Sequence, residues 1–305
     1  AVTTGGDIVL AGYTGSPDAI ATAGAHQATN GGILDAFVAA FSSTGTRLWG
    51  SYYGGLGYDY GRELAVTSGG DIVLAGYTES PTAIATVGAH QETNGGNRDA
   101  FVAAFSSTGT RLWGTYFGGA LEDFGGALAV TSGGDIVLAG MTSSPTAIAT
   151  AGSHQATHGG GEDAFVAAFT STGTRLCGTY YGGESHDGGS ALAVTPGGDI
   201  VLAGWTGSEI AIATAGAHQA AHGGGGDAFV AVFRQDTATS IAIDEPAIVP
   251  HTHTVAAISP NPASGHTVVT TSATSDAVLS VIDVLGRVHL SQSIAAGETT
   301  TTIST

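Results

Sequence analysis

The chain has 305 residues with 25 acids against seven basic side chains, all arginine, for a formal charge of −18. No two arginines stand close together, so the basic stripe that nucleic-acid binding needs to displace counterions is excluded. Fifty glycines and 42% hydrophobic residues in short runs exclude disorder and predict a folded chain rich in turns.

No apolar run is long enough to cross a bilayer, so no membrane span is expected. The acid-rich surface suits solubility outside the cell or in salt, and attracts cations. There is neither a signal peptide nor an initiating Met, and the chain reads as a mature or excised segment. The single cysteine, Cys177, rules out an internal disulfide. It occupies the slot of Trp49 and Trp113 and reads as a core residue.

From Ala1 the sequence repeats with a period of 64: Ala-Val-Thr stands at 1, 65, 129 and 193. The copies are 1–64, 65–128, 129–192 and a shorter 193–237. A period of this length is the signature of a propeller, solenoid or array. Within a copy the apolar pattern alternates every second residue, which predicts strands. In the third copy the first strand is expected over Ala127–Thr131, turning at Ser132-Gly133-Gly134 where glycine supplies positive φ. The second covers Asp135–Thr142, and a connection of about 20 residues follows, with room for a helical turn. The third is Asp163–Phe169, with a turn at Ser171-Thr172-Gly173, and the fourth is Thr174–Tyr181. The expected fold class is therefore all-β, a β-propeller of four-stranded antiparallel blades followed by a small β-sandwich. Copy 4 stops after its third strand, and 239–244 is a candidate closing strand, which makes 1–244 the repeat domain.

Tyr-Tyr-Gly-Gly at 180–183, Asp187-x-Gly, Leu-Ala-Val-Thr, Gly-Asp-Ile-Val-Leu-Ala-Gly-x-Thr, Gly-x-His-Gln and Asp-Ala-Phe-Val-Ala recur along 1–237. Together they resemble the bacterial β-propeller repeat known as SBBP, which is associated with seven-bladed propellers. The resemblance implies an extracellular or surface repeat protein and transfers no catalytic residue. It departs from this chain in having more blades, and in favouring an aromatic residue where His26, His90, His154 and His218 stand.

Differences between copies gather in two places. One is the end of the long connection, at 30–34, 94–98, 158–162 and 222–226. The other is the loop expected between blades, at 56–63, 120–127 and 184–191. In an antiparallel blade both emerge on one face, so this face is the candidate recognition surface. The binding residues expected there are Tyr58, Asp59, Tyr60, Glu122, Asp123, Phe124, His186 and Asp187, with aromatic rings able to stack on sugars.

Asp recurs at 7, 71, 135 and 199, at 35, 99, 163 and 227, and at 59, 123 and 187. Asp beside Gly is what turns require. If a cation is held, calcium at Asp59, Asp123 and Asp187 is the expectation, as oxygen-rich loops suit it. His26, His90, His154 and His218 read as structural residues copied with the repeat. Zinc at pairs such as His154 and His158 is the alternative, though Asn stands at the second position in copies 1 and 2. No Gly-x-Ser-x-Gly or asymmetric acid-base pair occurs, and the chain reads as a non-enzyme.

After a linker at 245–254, β-prone runs at 267–271, 277–284, 287–294 and 299–305 predict a small β-sandwich over 255–305, with a hairpin turn at Gly286. Ser-Pro-Asn-Pro at 259–262, Val-Ile-Asp-Val-Leu-Gly-Arg at 281–287 and Ile-Ala-Ala-Gly-Glu at 294–298 look like the C-terminal sorting domain of type IX secretion. That resemblance implies export across the outer membrane of a Gram-negative bacterium, to the surface or the medium. The segment lacks that family's last strands, and reads as either truncated or no longer competent for export. The leading functional expectation is a surface adhesion or binding protein for a glycan or surface protein. The alternatives are a self-assembling subunit of a surface layer or filament, and an accessory domain of a larger secreted hydrolase.

Overall fold

Alternating Val, Leu, Ile and Phe between glycine-bearing turns folds as strands because each glycine takes the left-handed conformation that closes the hairpin. Gly134 has φ 90°, and its N–H donates to the Thr131 carbonyl at 3.0 Å. The computed structural model describes residues 1–236, 240–243, 266–270, 277–282, 288–294 and 300–304, and side-chain burial through Arg234.

The strands are β1 (Ile8–Thr14), β2 (Asp35–Phe41), β3 (Arg47–Tyr53), β4 (Asp59–Val66), β5 (Ile72–Thr78), β6 (Asp99–Phe105), β7 (Arg111–Phe117) and β8 (Asp123–Val130). They continue as β9 (Ile136–Thr142), β10 (Asp163–Phe169), β11 (Arg175–Tyr181), β12 (Asp187–Val194), β13 (Ile200–Thr206), β14 (Asp227–Asp236) and β15 (Ser240–Ile243). They form four antiparallel sheets in chain order: β1-β2-β3, β4-β5-β6-β7, β8-β9-β10-β11 and β12-β13-β14-β15. The fold is all-β, with a sheet repeating about every 64 residues.

Sheet and sequence repeat are out of phase. The edge strand expected to begin near Ala127 begins at Asp123, and its counterparts begin at Asp59 and Asp187. Residues assigned to a loop between blades are therefore largely strand. The cause is a β-bulge that leaves Arg62, Gly126 and Ser190 unpaired and breaks the two-residue alternation. In sheet 4, β14 runs on to Asp236, and β15 pairs only with Phe233–Asp236. Of the expected closing strand 239–244, Ser240–Ile243 joins the sheet but covers only the far end of β14.

Sheets 2 and 3 bury both faces against their neighbours, whereas sheets 1 and 4 each bury one and leave Leu10 and Val232 exposed on the other. Val73, Val102, Trp113 and Phe117 of sheet 2 interlock with Ile136, Leu138, Phe165 and Phe169 of sheet 3. Side chains of this size contribute about 1.5–3 kcal/mol each when fully buried. Polar tips bridge the same seams: Trp49 Nε1 donates to the Ser107 carbonyl at 2.8 Å, and Tyr53 Oη to that of Ile84 at 2.6 Å. The exposed rings of His26, His90 and His154 border the seams, His26 beside Tyr53 and Phe105, His90 beside Phe117 and Phe169, and His154 beside Tyr181 and Phe233. In copies 1 to 3 the recurring histidine thus covers the edge of a seam, while His218 of copy 4 is exposed. Cys177 is buried in the seam between sheets 3 and 4.

The chain divides into two compact units, Ala1–Asp244 and Glu245–Thr305. In the second, β16 (His266–Thr270) pairs with β19 (Thr300–Ser304), and β17 (Ala277–Ile282) with β18 (Val288–Ile294), all antiparallel. The linker at 245–254 and the turn at Gly286 lie outside the described residues. Among the described residues no helix is long and apolar enough to cross a membrane.

Candidate functional site

The two variable segments meet on one face. Single parallel bridges join Leu34 to Tyr58, Arg98 to Glu122 and Glu162 to His186, tying the end of each long connection to the entry of the next sheet. The rim they form carries charge: Arg98 Nε pairs with Glu79 at 2.8 Å and its Nη1 with Glu122 at 3.4 Å. His186 Nδ1 lies 3.3 Å from Glu162.

Beside this rim runs a row of aromatic rings. Tyr13 meets Tyr60 edge-on with centroids 4.8 Å apart, Tyr60 lies 4.7 Å from Tyr77, and Tyr77 meets Phe124 at 5.0 Å. Tyr58 lies parallel to Tyr60 at 6.3 Å. Arg98 sits 5.7 Å over Phe124 and Arg62 5.9 Å over Tyr77, distances at which a guanidinium is attracted to a ring. The row follows from register, since Tyr60 pairs with Tyr77 and Phe124 with Met141 at the start of each edge strand. In sheet 4 the same position pairs Gly188 with Trp205, and a Cβ on Gly188 would come 2.7 Å from the Trp205 Nε1. Tyr13 and Trp205 remain 47% and 42% exposed. The structure therefore unites the expected Tyr58, Tyr60 and Phe124, and adds Tyr13 and Tyr77. The signal for the added pair was the variable x of Gly-x-Thr, which reads Tyr, Tyr, Met and Trp along the chain.

Asp59, Asp123 and Asp187 have a different place from the one expected. All three are fully buried. The Asp59 carboxylate accepts from Gly55 N at 2.8 Å, Ser80 Oγ at 2.8 Å and Thr78 Oγ1. Asp123 is held in the same way by Gly119, Ser144 and Thr142, and Asp187 by Gly183, Ser208 and Thr206. Their oxygens serve protein donors under the loop face, pinning each edge strand to the segment that follows its neighbour. Among the described residues no group of three His, Cys, Asp or Glu is placed to hold a metal ion.

A second buried carboxylate stands beside each. A Cβ on Gly118 would lie 2.5 Å from Asp123 Oδ2 and 2.9 Å from Asp99 Oδ1, so only glycine fits between the two acids. Asp99 Oδ2 accepts from Gln91 and Gly95, while its Oδ1 has no protein donor. Burial, with the charge of Asp123 adding to it, raises Asp99 to about 6. A proton on the unpartnered oxygen removes the need for a donor there. Stability carried by that protonated form is complete below the ordinary value of 3.8 and is lost as pH rises through about 6. His90, lowered to about 4 by burial and by Arg175, acts in the opposite sense, losing stability as pH falls from 6.5. Comparison with Asp99→Asn isolates the acid: the stability advantage of wild type over this variant should grow by about 1–2 kcal/mol from pH 7.5 to 4.5. Parallel urea titrations read the difference, and an advantage that stays constant with pH would refute it.

The variation between Asn and His at 30, 94, 158 and 222 also has a structural reason. Asn30 and Asn94 Nδ2 donate to the Thr14 and Thr78 carbonyls, and His158 and His222 Nε2 lie 3.1 and 3.4 Å from those of Thr142 and Thr206. Both residue types hold the same connection to the same strand end. No family model matches the chain, and no curated protein matches it.

Proposed function

We propose that the repeat unit is a non-catalytic, glycan-binding module of a secreted or surface-attached protein, built as blades of a β-propeller. The observation that carries this reading is the aromatic row from Tyr13 to Phe124, partly open to solvent and bordered by Arg98, Glu79 and Glu122. The apolar face of a sugar ring packs on aromatic side chains, while its hydroxyls take hydrogen bonds from a charged rim. Rigid sheets underneath keep the ordering cost of binding low. Surface location and export rest on the resemblances to SBBP repeats and to type IX sorting segments.

The test is binding of the purified chain to an array of polysaccharides and oligosaccharides, in calcium and in chelator. Saturable binding that survives chelation and weakens at least tenfold in Tyr60→Ala is the expected result. Absence of binding to any glycan, or binding that Tyr60→Ala and Phe124→Ala leave intact, would overturn the reading.

A further inference from the structure

In sheets 1 to 3 the last strand, β3, β7 or β11, does more than pair with the strand before it: it fills a slot between that strand and the long connection. Sheet 2 shows the full set of contacts. Gly114 O accepts from Thr86 N at 2.9 Å, Tyr116 N donates to Gln91 O at 3.2 Å, and Gln91 N donates to Thr115 Oγ1 at 3.0 Å. Gly118 N donates to Gln91 Oε1 at 3.0 Å, and Tyr116 Oη to Ser80 O at 3.0 Å.

Sheet 4 has the same slot without that strand. β15 pairs only with Phe233–Asp236, so the outer edge of β14 from Asp227 to Val232 has no strand neighbour among the described residues. A cavity of about 490 Å³ lies there, lined by Ile212, Thr214, Gln219, Phe229, Val230 and Val232 among others. Val230 borders this cavity and is 71% exposed, because its face of sheet 4 lacks the following sheet that buries Val38, Val102 and Val166. Thr214, Gln219 and Ser208 occupy the positions of Thr86, Gln91 and Ser80, and Gln219 already makes the bond to Asp227 that Gln91 makes to Asp99. The slot is thus preformed on both sides.

We infer that sheet 4 is an acceptor for an extended strand of the type Trp-Gly-Thr-Tyr-aromatic-Gly-Gly, supplied by a partner polypeptide. The register of sheet 2 sets the fit: Trp opposite Val232, Gly opposite Ala231, Thr opposite Val230, Tyr opposite Phe229 and the last aromatic opposite Ala228. Main-chain bonds to β14 and to Thr214 and Gln219 give affinity, and the tyrosine hydroxyl reaching Ser208 O gives specificity, the division found when a peptide extends a sheet edge. A second copy of this chain brings no spare strand, because its segments of this kind, β3, β7 and β11, are paired within their own sheets.

Fluorescence anisotropy of a labelled peptide with the sequence of residues 113–119 tests the inference on the full chain. The expected result is saturable one-to-one binding, weakened at least tenfold by Val230→Lys in the protein or by alanine at the Tyr116 position of the peptide. Val230 is on the surface of the unbound chain, so its substitution leaves the fold intact, which circular dichroism checks. No binding at millimolar peptide, equal binding of a scrambled peptide, or binding that Val230→Lys does not change would each overturn it.

Discussion

Gly140→Ala should cost about 3 kcal/mol or more of stability, a loss matched only by the equivalent Gly76→Ala among the described glycines. Gly140 sits in the middle of β9, where a Cβ would overlap the carbonyl oxygen of Phe124 on β8 and lie 3.1 Å from the ring of Phe165. Neither neighbour has room to withdraw. The Phe124 backbone is fixed by the β8–β9 ladder, and the Phe165 ring is packed in the seam with Phe117. Overpacking a well-filled core costs about 1–3 kcal/mol and more where backbone must move, which is the case here. Gly133→Ala is the control, since its Cβ would meet nothing nearer than Thr131 Oγ1 at 3.7 Å. Urea midpoints followed by tryptophan fluorescence should separate the two, with the control within about 0.5 kcal/mol of wild type. A loss below 1 kcal/mol in Gly140→Ala would show that the sheets are looser than described.

Removing the Asp123 side chain should be about as damaging, for an electrostatic reason. Asp123→Ala leaves three buried donors, Gly119 N, Ser144 Oγ and Thr142 Oγ1, without their acceptor. Each unsatisfied group costs about 1–3 kcal/mol, so a total near 3 kcal/mol or above is expected. Asp123→Asn keeps the shape and one acceptor oxygen, and should lose about half as much. Burial raises the Asp123 carboxyl, so its charge is held at a cost which the three donors offset. Calcium should leave the melting temperature of wild type unchanged, because the carboxylate oxygens are already engaged. A calcium-dependent rise in melting temperature that Asp123→Ala abolishes would mean that the carboxylate serves a cation instead.

Much of the fold was legible because the repeat is its own control. The 64-residue period, the glycine turns and the strands at 135–142 and 163–169 all follow from local pattern, and the last two match β9 and β10 to within a residue. The edge strand was not legible over its first half. Its bulge at Gly126 and the run of glycines around it remove the alternation by which a strand is recognised. The same error carried the recurring acids into a loop, where Asp beside Gly looked like turn chemistry or a cation ligand.

Tyr58, Tyr60 and Phe124 were found from their place in variable segments, but Tyr13 and Tyr77 were not. They lie in β1 and β5 and reach the row through the pairing of Tyr77 with Tyr60 and the packing of Tyr13 on Tyr60 between sheets, which relate residues far apart in the chain. The positive φ of Ala83, 81° at a non-glycine residue, is likewise invisible in sequence. It is held where Arg111 Nη1 reaches the Ala83 and Ile84 carbonyls, at 3.4 and 3.3 Å.

By itself the sequence determined what local periodicity and composition can determine: strands, turns, four copies and an acidic chain without a basic stripe. Only the tertiary structure decided which side chains face the seams, that Asp59, Asp123 and Asp187 point inward, and that the aromatic rings form one row. The physical reason is that burial and hydrogen-bond partners belong to pairs of strands and sheets. A bulge of one residue shifts which face a side chain takes while leaving the letters of the repeat unchanged.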